Sequence, residues 1–157
     1  MFYLPLALAI WLCLDHIIDR RQLPGLLPYG LFGAALATLQ DRLVLVYNLW
    51  EYADIGPADT HAEIALLISL SAAPLFAMRF AQGLQTGSEL PWRRIAKFTT
   101  VSMLPELAGL VTGHIRYHQW WNVGWSVLAY VPIWVAIWWM NRWLDHPVRE
   151  ATRVPDP

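Results

Sequence analysis

The segment 113–126, GHIRYHQWWNVGWS, concentrates the side chains that could do chemistry in an otherwise apolar chain. Imidazole exchanges protons near neutral pH, and indole offers a flat apolar ring with one N–H donor. We predict that this segment lies at a membrane surface and covers a polar pocket among helices. Its predicted ligand-binding residues are Tyr117, His118, Trp121, Asn122, Trp125 and Ser126.

Acidic residues interrupt or follow the apolar runs that flank this segment. Asp41, Glu51, Glu63 and Glu106 are the acids that we assign to the same pocket. A charged side chain inside an apolar helix is costly, and such residues commonly mark functional sites. Glu106 follows Pro105, whose ring frees a backbone carbonyl. A role for Glu106 as a proton carrier or general acid and a role in a structural hydrogen bond both remain open.

Histidines raise the further possibility of a metal site. His114 and His118 would share one face of a continuous helix, and His61 precedes Glu63 by two residues. Two or three histidines with a carboxylate suit Zn²⁺. However, the pair crosses a predicted helix end, and interfacial histidines that bind lipid headgroups are the alternative. Catalysis by Glu106 and His118 is the corresponding enzymatic hypothesis.

Composition places these residues in a membrane protein. The chain is 57% hydrophobic and 15% charged, whereas soluble domains have roughly 25% charged residues. Ten tryptophans fit a bilayer interface, where indole rings collect. The net charge of −1 gives no indication of nucleic-acid binding.

Five apolar runs predict the fold: an all-α integral membrane bundle of five transmembrane helices. The runs have 17 to 27 residues, close to the roughly 17–25 that cross the hydrocarbon layer. The runs cover residues 2–18, 24–50, 61–82, 93–115 and 122–144. Residues 1–146 would form one domain and 147–157 a polar cytoplasmic tail. Four spans with a re-entrant first segment are the alternative.

The distribution of basic residues predicts an outer N-terminus and a cytoplasmic C-terminus. This orientation places nine of the eleven Lys and Arg residues inside, as the positive-inside rule requires. The expected partners are the lipid bilayer and a small or amphiphilic ligand. Gly109 and Gly113 form a GxxxG motif that favours packing within the chain or contact in a homo-oligomer.

A family resemblance covers most of the chain. Its residues are Leu49-Trp50-Glu51-Tyr52, Glu63, Pro74, Glu106 and the pattern Tyr117-His118-x-x-Trp121-Asn122-x-x-Trp125-Ser126. This order resembles small multi-span membrane proteins of spore-forming Firmicutes. The resemblance implies a multi-pass protein of the bacterial cytoplasmic membrane with a shared site, but no activity. His61 and His114 depart from the pattern.

Three functions follow as expectations. The leading one is an outward-facing acidic, His- and Trp-lined pocket that binds, senses or passes a small or amphiphilic ligand. The second is a membrane-embedded enzyme that uses Glu106 and outer-face histidines on a lipid-like substrate. The third is a subunit of a larger membrane complex. The tryptophan-rich sensory proteins are similar in size and Trp content and serve only as a functional analogy.

Overall fold

The computed structural model describes residues 12, 18–53, 59–87, 89–118 and 120–151, and it describes their side chains except at 20, 59–68 and 145–151. These residues form four long helices and a two-stranded ribbon. In chain order they are α1 (Leu23–Tyr47), β1 (Trp50–Tyr52), α2 (Asp59–Gln85), α3 (Pro91–Val111), β2 (Ile115–Tyr117) and α4 (Val123–Ala151). A 3-10 turn, Arg20–Gln22, leads into α1.

The helix boundaries have local causes. Proline stands in the first turn of α1 and of α3, where its missing N–H costs no hydrogen bond. Asn48 ends α1 in the left-handed conformation, with φ of 46°. Gly113 has a φ of 75° just after α3, and a turn there suits a residue without a side chain.

The ribbon ties together the two connections at one end of the helices. β1 follows α1, β2 follows α3, and the strands pair antiparallel, with Trp50 opposite Tyr117 and Tyr52 opposite Ile115. Backbone bonds of 2.8 Å, from Ala53 to His114 and from His118 to Leu49, extend the pairing. The C-terminal ends of α1 and α3 therefore lie at the same end of the protein, which we call the ribbon end.

Small residues let α1 and α2 approach closely. A Cβ atom on Gly33 would lie 2.4 Å from the Cβ atom of Ala77, so this contact requires glycine. Further from the ribbon, Phe80, Phe98 and Trp134 pack with ring centroids 5.1–5.2 Å apart. These rings join α2, α3 and α4 into one hydrophobic core.

The structure corrects the predicted membrane topology. Within the described part of the chain, only Val123–Leu144 forms a helix long and apolar enough to cross a membrane. The prediction of a five-span transmembrane bundle is therefore wrong, and so is the multi-pass membrane localisation that followed from it. The helix α3 illustrates the reason: it has the length of a span but carries Arg93, Arg94, Lys97 and Glu106.

Two other predicted segments lie near the ends of the chain. The first apolar run, 2–18, lies outside the described residues except for positions 12 and 18. The predicted polar tail began at 147, whereas α4 continues to Ala151.

Candidate functional site

A cavity of about 150 Å³ lies between the helices next to the ribbon. All four helices and both strands contribute to its wall. The described wall residues are mostly apolar or aromatic: Gly33, Ala37, Trp50, Tyr52, Ala72, Ala73, Phe76, Ala77, Pro105, Ile115, Tyr130, Ile133, Trp134 and Ile137. The polar ones are Gln40, Asp41, Ser69, Ser102 and Glu106. An engineered protein cavity of this size accommodates benzene.

Asp41 of α1 brings a carboxyl group into the cavity wall. The Ser69 hydroxyl of α2, which is buried, donates a hydrogen bond to it. Burial raises the pKa of Asp41 to about 6, and the bond from Ser69 opposes part of this rise. At neutral pH the protein therefore holds a poorly hydrated carboxylate here, a costly arrangement that is concentrated at functional sites.

Glu106 of α3 is the second carboxyl group, and it is only 5% exposed. The Tyr117 hydroxyl of β2 donates a hydrogen bond of 2.5 Å to its Oε1 atom. The Tyr130 hydroxyl of α4 bonds to it as well. Two phenol donors from separate elements therefore hold this carboxyl group in place.

A chain of hydrogen bonds links Glu106 to the segment 113–126, which we call the Trp-rich segment. Trp121 Nε1 donates to Ser126 Oγ over 2.9 Å, and Ser126 Oγ lies 3.3 Å from the Tyr117 hydroxyl. Because the Tyr117 proton is used on Glu106, the Ser126 proton is available for Tyr117. All donors then point toward the carboxyl group, and each bond polarises the next. Burial, and then the bond to Glu106, raise the pKa of Tyr117 above its ordinary value, so the phenol stays protonated.

Trp134 leaves a donor unused at the cavity wall. Its side chain is 4% exposed, yet its Nε1 atom has no hydrogen-bond partner among the described residues. A buried donor without an acceptor costs roughly 1–3 kcal/mol. Because Trp134 also lines the cavity, a cavity occupant with an acceptor atom could remove this cost.

Glu51 and His118 form a separate pair at the ribbon. His118 Nε2 lies 3.2 Å from Glu51 Oε2, within ion-pair distance but without the alignment of a hydrogen bond. Neither residue is among the described residues that line the cavity. The structure thus divides the predicted acid and histidine set: Asp41 and Glu106 share the cavity, while Glu51 and His118 pair outside it.

The other predicted residues of the Trp-rich segment organise the start of α4. Asn122 Oδ1 accepts bonds from the backbone N–H groups of Gly124, at 2.9 Å, and Trp125, at 3.3 Å, as an N-cap residue does. The Trp120 ring packs against Trp121 and Trp125, with centroids 5.6 and 5.4 Å apart. Trp125 is 46% exposed, so of this group Trp121 alone joins the bonds that lead to Glu106.

The histidines do not converge on a metal site in the described part of the chain. No group of three His, Cys, Asp or Glu residues there could hold a metal ion. His114 Nδ1 lies 2.9 Å from the Thr112 hydroxyl, and α3 ends before both His114 and His118, so the two do not share a helix face. The side chains of His61 and Glu63 lie outside the described residues. Zinc binding and the enzymatic alternative stay predictions.

The first glycine of the GxxxG motif, Gly109, packs against a residue of the same chain. A Cβ atom on Gly109 would lie 2.6 Å from Ile115 Cδ1, so this glycine makes room for β2 of the same chain. Gly113 stands beyond the end of α3. A homo-oligomer through these residues stays a prediction.

Sequence reasoning missed Ser69, Tyr130 and Trp134. For Tyr130 and Trp134 the available signal was helical spacing, because Ser126, Tyr130 and Trp134 follow one another at four-residue intervals and share one face of α4. Ser69 is a polar residue in an apolar stretch, but its partner Asp41 is 28 residues away. Only the packing of α1 against α2 reveals that pair.

No protein-family model, curated protein or solved structure matches this chain. The resemblance to the small Firmicutes proteins therefore stays an expectation, and the functional argument depends on the geometry of the cavity.

Proposed function

We propose that this chain binds a small ligand with an apolar body and a polar end in the cavity at the ribbon end. The observation that carries the proposal is one cavity with apolar walls, two carboxyl groups and an indole N–H that has no partner among the described residues. Ligand pockets typically combine apolar walls with a few placed polar groups. The apolar walls supply affinity by burial, and the polar groups set the orientation.

The size of the cavity limits the ligand. About 150 Å³ suits a molecule of the size of a substituted benzene. Benzyl alcohol is a suitable probe because its hydroxyl can donate to a carboxylate and accept from Trp134. For a probe this small we expect a Kd on the order of 0.1–1 mM.

The test compares two leucine substitutions on the same helix. Ala37 lines the cavity, whereas Ala35 is exposed on α1. Ala37→Leu fills part of the cavity and should weaken benzyl alcohol binding at least about tenfold by calorimetric titration. Ala35→Leu should bind as the wild-type protein does. Absence of binding to the wild-type protein, or equal loss in both variants, overturns the proposal.

A further inference from the structure

The charges around the cavity are unbalanced. Asp41 and Glu106 line it, and none of the described lining residues is Lys, Arg or His. Arg42 and Arg116, neighbours in sequence of Asp41 and Tyr117, are exposed to solvent. The described wall therefore presents carboxyl groups without a basic partner.

Neutral hydroxyl groups hold both carboxyl groups in place. Ser69 donates to Asp41, while Tyr117 and Tyr130 bond to Glu106. A hydroxyl donor carries no positive charge, so these bonds do not neutralise a carboxylate. Among the described residues that line the cavity, no basic side chain forms a salt bridge with either carboxyl group, and hydroxyl donors hold them instead. The negative charge thus remains available to an occupant.

Aromatic rings complete the same wall. Trp50, Tyr52, Phe76 and Trp134 line the cavity together with the two acids. The face of an aromatic ring attracts a cation, most strongly when water is excluded. Carboxyl groups and aromatic rings in one small cavity form a combination that suits an organic ammonium group.

We propose that the ligand of this cavity is a protonated amine with an apolar body, whose ammonium group binds to the carboxylates of Asp41 and Glu106. This inference rests on the proposed ligand-binding function and specifies the chemical class of the ligand. The N–H of Trp134 has no partner among the described residues, and an amine that also carries a hydroxyl or carbonyl oxygen would supply an acceptor for it.

The experiment compares benzylamine with benzyl alcohol, which differ chiefly in the charge of the polar end. At about pH 7 benzylamine is protonated, as simple alkylamines are. Hydrogen bonds to charged groups are stronger than neutral ones, so wild-type protein should bind benzylamine about tenfold more tightly than benzyl alcohol in calorimetric titrations.

Two variants separate local from long-range effects. Asp41→Asn should weaken benzylamine binding about tenfold and benzyl alcohol binding by a smaller factor, because the asparagine oxygen still accepts a hydrogen bond from a hydroxyl group. Glu51→Gln removes an acid at the same end of the protein but outside the described cavity wall, and it should preserve the preference for the amine.

The outcomes are distinguishable. If benzyl alcohol binds at least as tightly as benzylamine, the cationic ligand is excluded while the binding site stands. If Glu51→Gln abolishes the preference as fully as Asp41→Asn, the preference comes from overall charge, and the assignment to this cavity fails. If neither compound binds, the proposed function and this inference are both overturned.

Discussion

Burial of the Asp41 carboxylate in the cavity wall should lower the stability of the folded protein, and this cost can be measured. Burial raises its pKa from 3.8 to about 6. At neutral pH this shift lowers the free energy of unfolding by at most about 3 kcal/mol. Asp41 is partly accessible to solvent, which screens this cost, so we expect about 1–2 kcal/mol. Asp41→Asn removes the charge and keeps an oxygen that can accept from Ser69. The variant should therefore be more stable than the wild-type protein at about pH 7 by this amount.

The pH dependence has a definite sign. A carboxyl group with a raised pKa binds its proton more tightly in the folded protein than in the unfolded chain. Its stabilising contribution is complete below the unfolded pKa of 3.8 and is lost as the pH rises through about 6. The difference in stability between Asp41→Asn and the wild-type protein should be smallest near pH 4 and reach its full size above pH 6.

Urea denaturation followed by tryptophan fluorescence measures this difference at each pH. Acids that titrate alike in both proteins cancel when the two unfolding free energies are subtracted. A gain in stability that does not change between about pH 4 and pH 7 would refute the electrostatic reasoning. So would a variant that is less stable than the wild-type protein at pH 7, since the carboxylate would then be a net stabilising group.

Two further substitutions test other contacts by the same denaturation assay. Tyr117→Phe removes a hydrogen-bond donor from Glu106 and should lower the free energy of unfolding by about 1–3 kcal/mol. Tyr47 is exposed, so Tyr47→Phe should change this free energy little, and an equal effect of the two substitutions would show that the bond to Glu106 does not stabilise the protein. Gly83→Ala would place a Cβ atom 1.9 Å from the Arg94 guanidinium group, which is bonded to backbone carbonyls, and a net loss of about 1–2 kcal/mol is expected. Gly25→Ala serves as the control, because the new Cβ would meet nothing within 4 Å beyond its chain neighbours and the backbone of its own helix. A Gly83→Ala protein as stable as this control would show that Arg94 moves without cost.

The wrong membrane prediction shows what a pattern of apolar runs lacks. The runs predicted helical segments at 24–50, 61–82, 93–115 and 122–144, and the structure has helices over most of each range. The error came in counting every apolar run of sufficient length as a membrane crossing. Length and apolar composition coincide within the described residues only in Val123–Leu144. In α3, basic side chains such as Arg94, which is buried against Phe80 and Phe98, serve contacts between helices.

The sequence by itself determined the local features of this protein. Proline in the first turn of α1 and α3 and the side-chain cap at Asn122 act within one turn, so their residue types are sufficient to predict them. The sequence also singled out Asp41 and Glu106, because an acid inside an apolar run needs a reason.

Only the tertiary structure decided which of these groups meet. Asp41 bonds to Ser69 across two helices, and Glu106 bonds to Tyr117 because the ribbon turns β2 back over the end of α3. The same ribbon keeps His118 beside Glu51, apart from the cavity. Contacts between distant segments depend on helix packing and strand pairing, and the spacing of residues along a single element does not encode either.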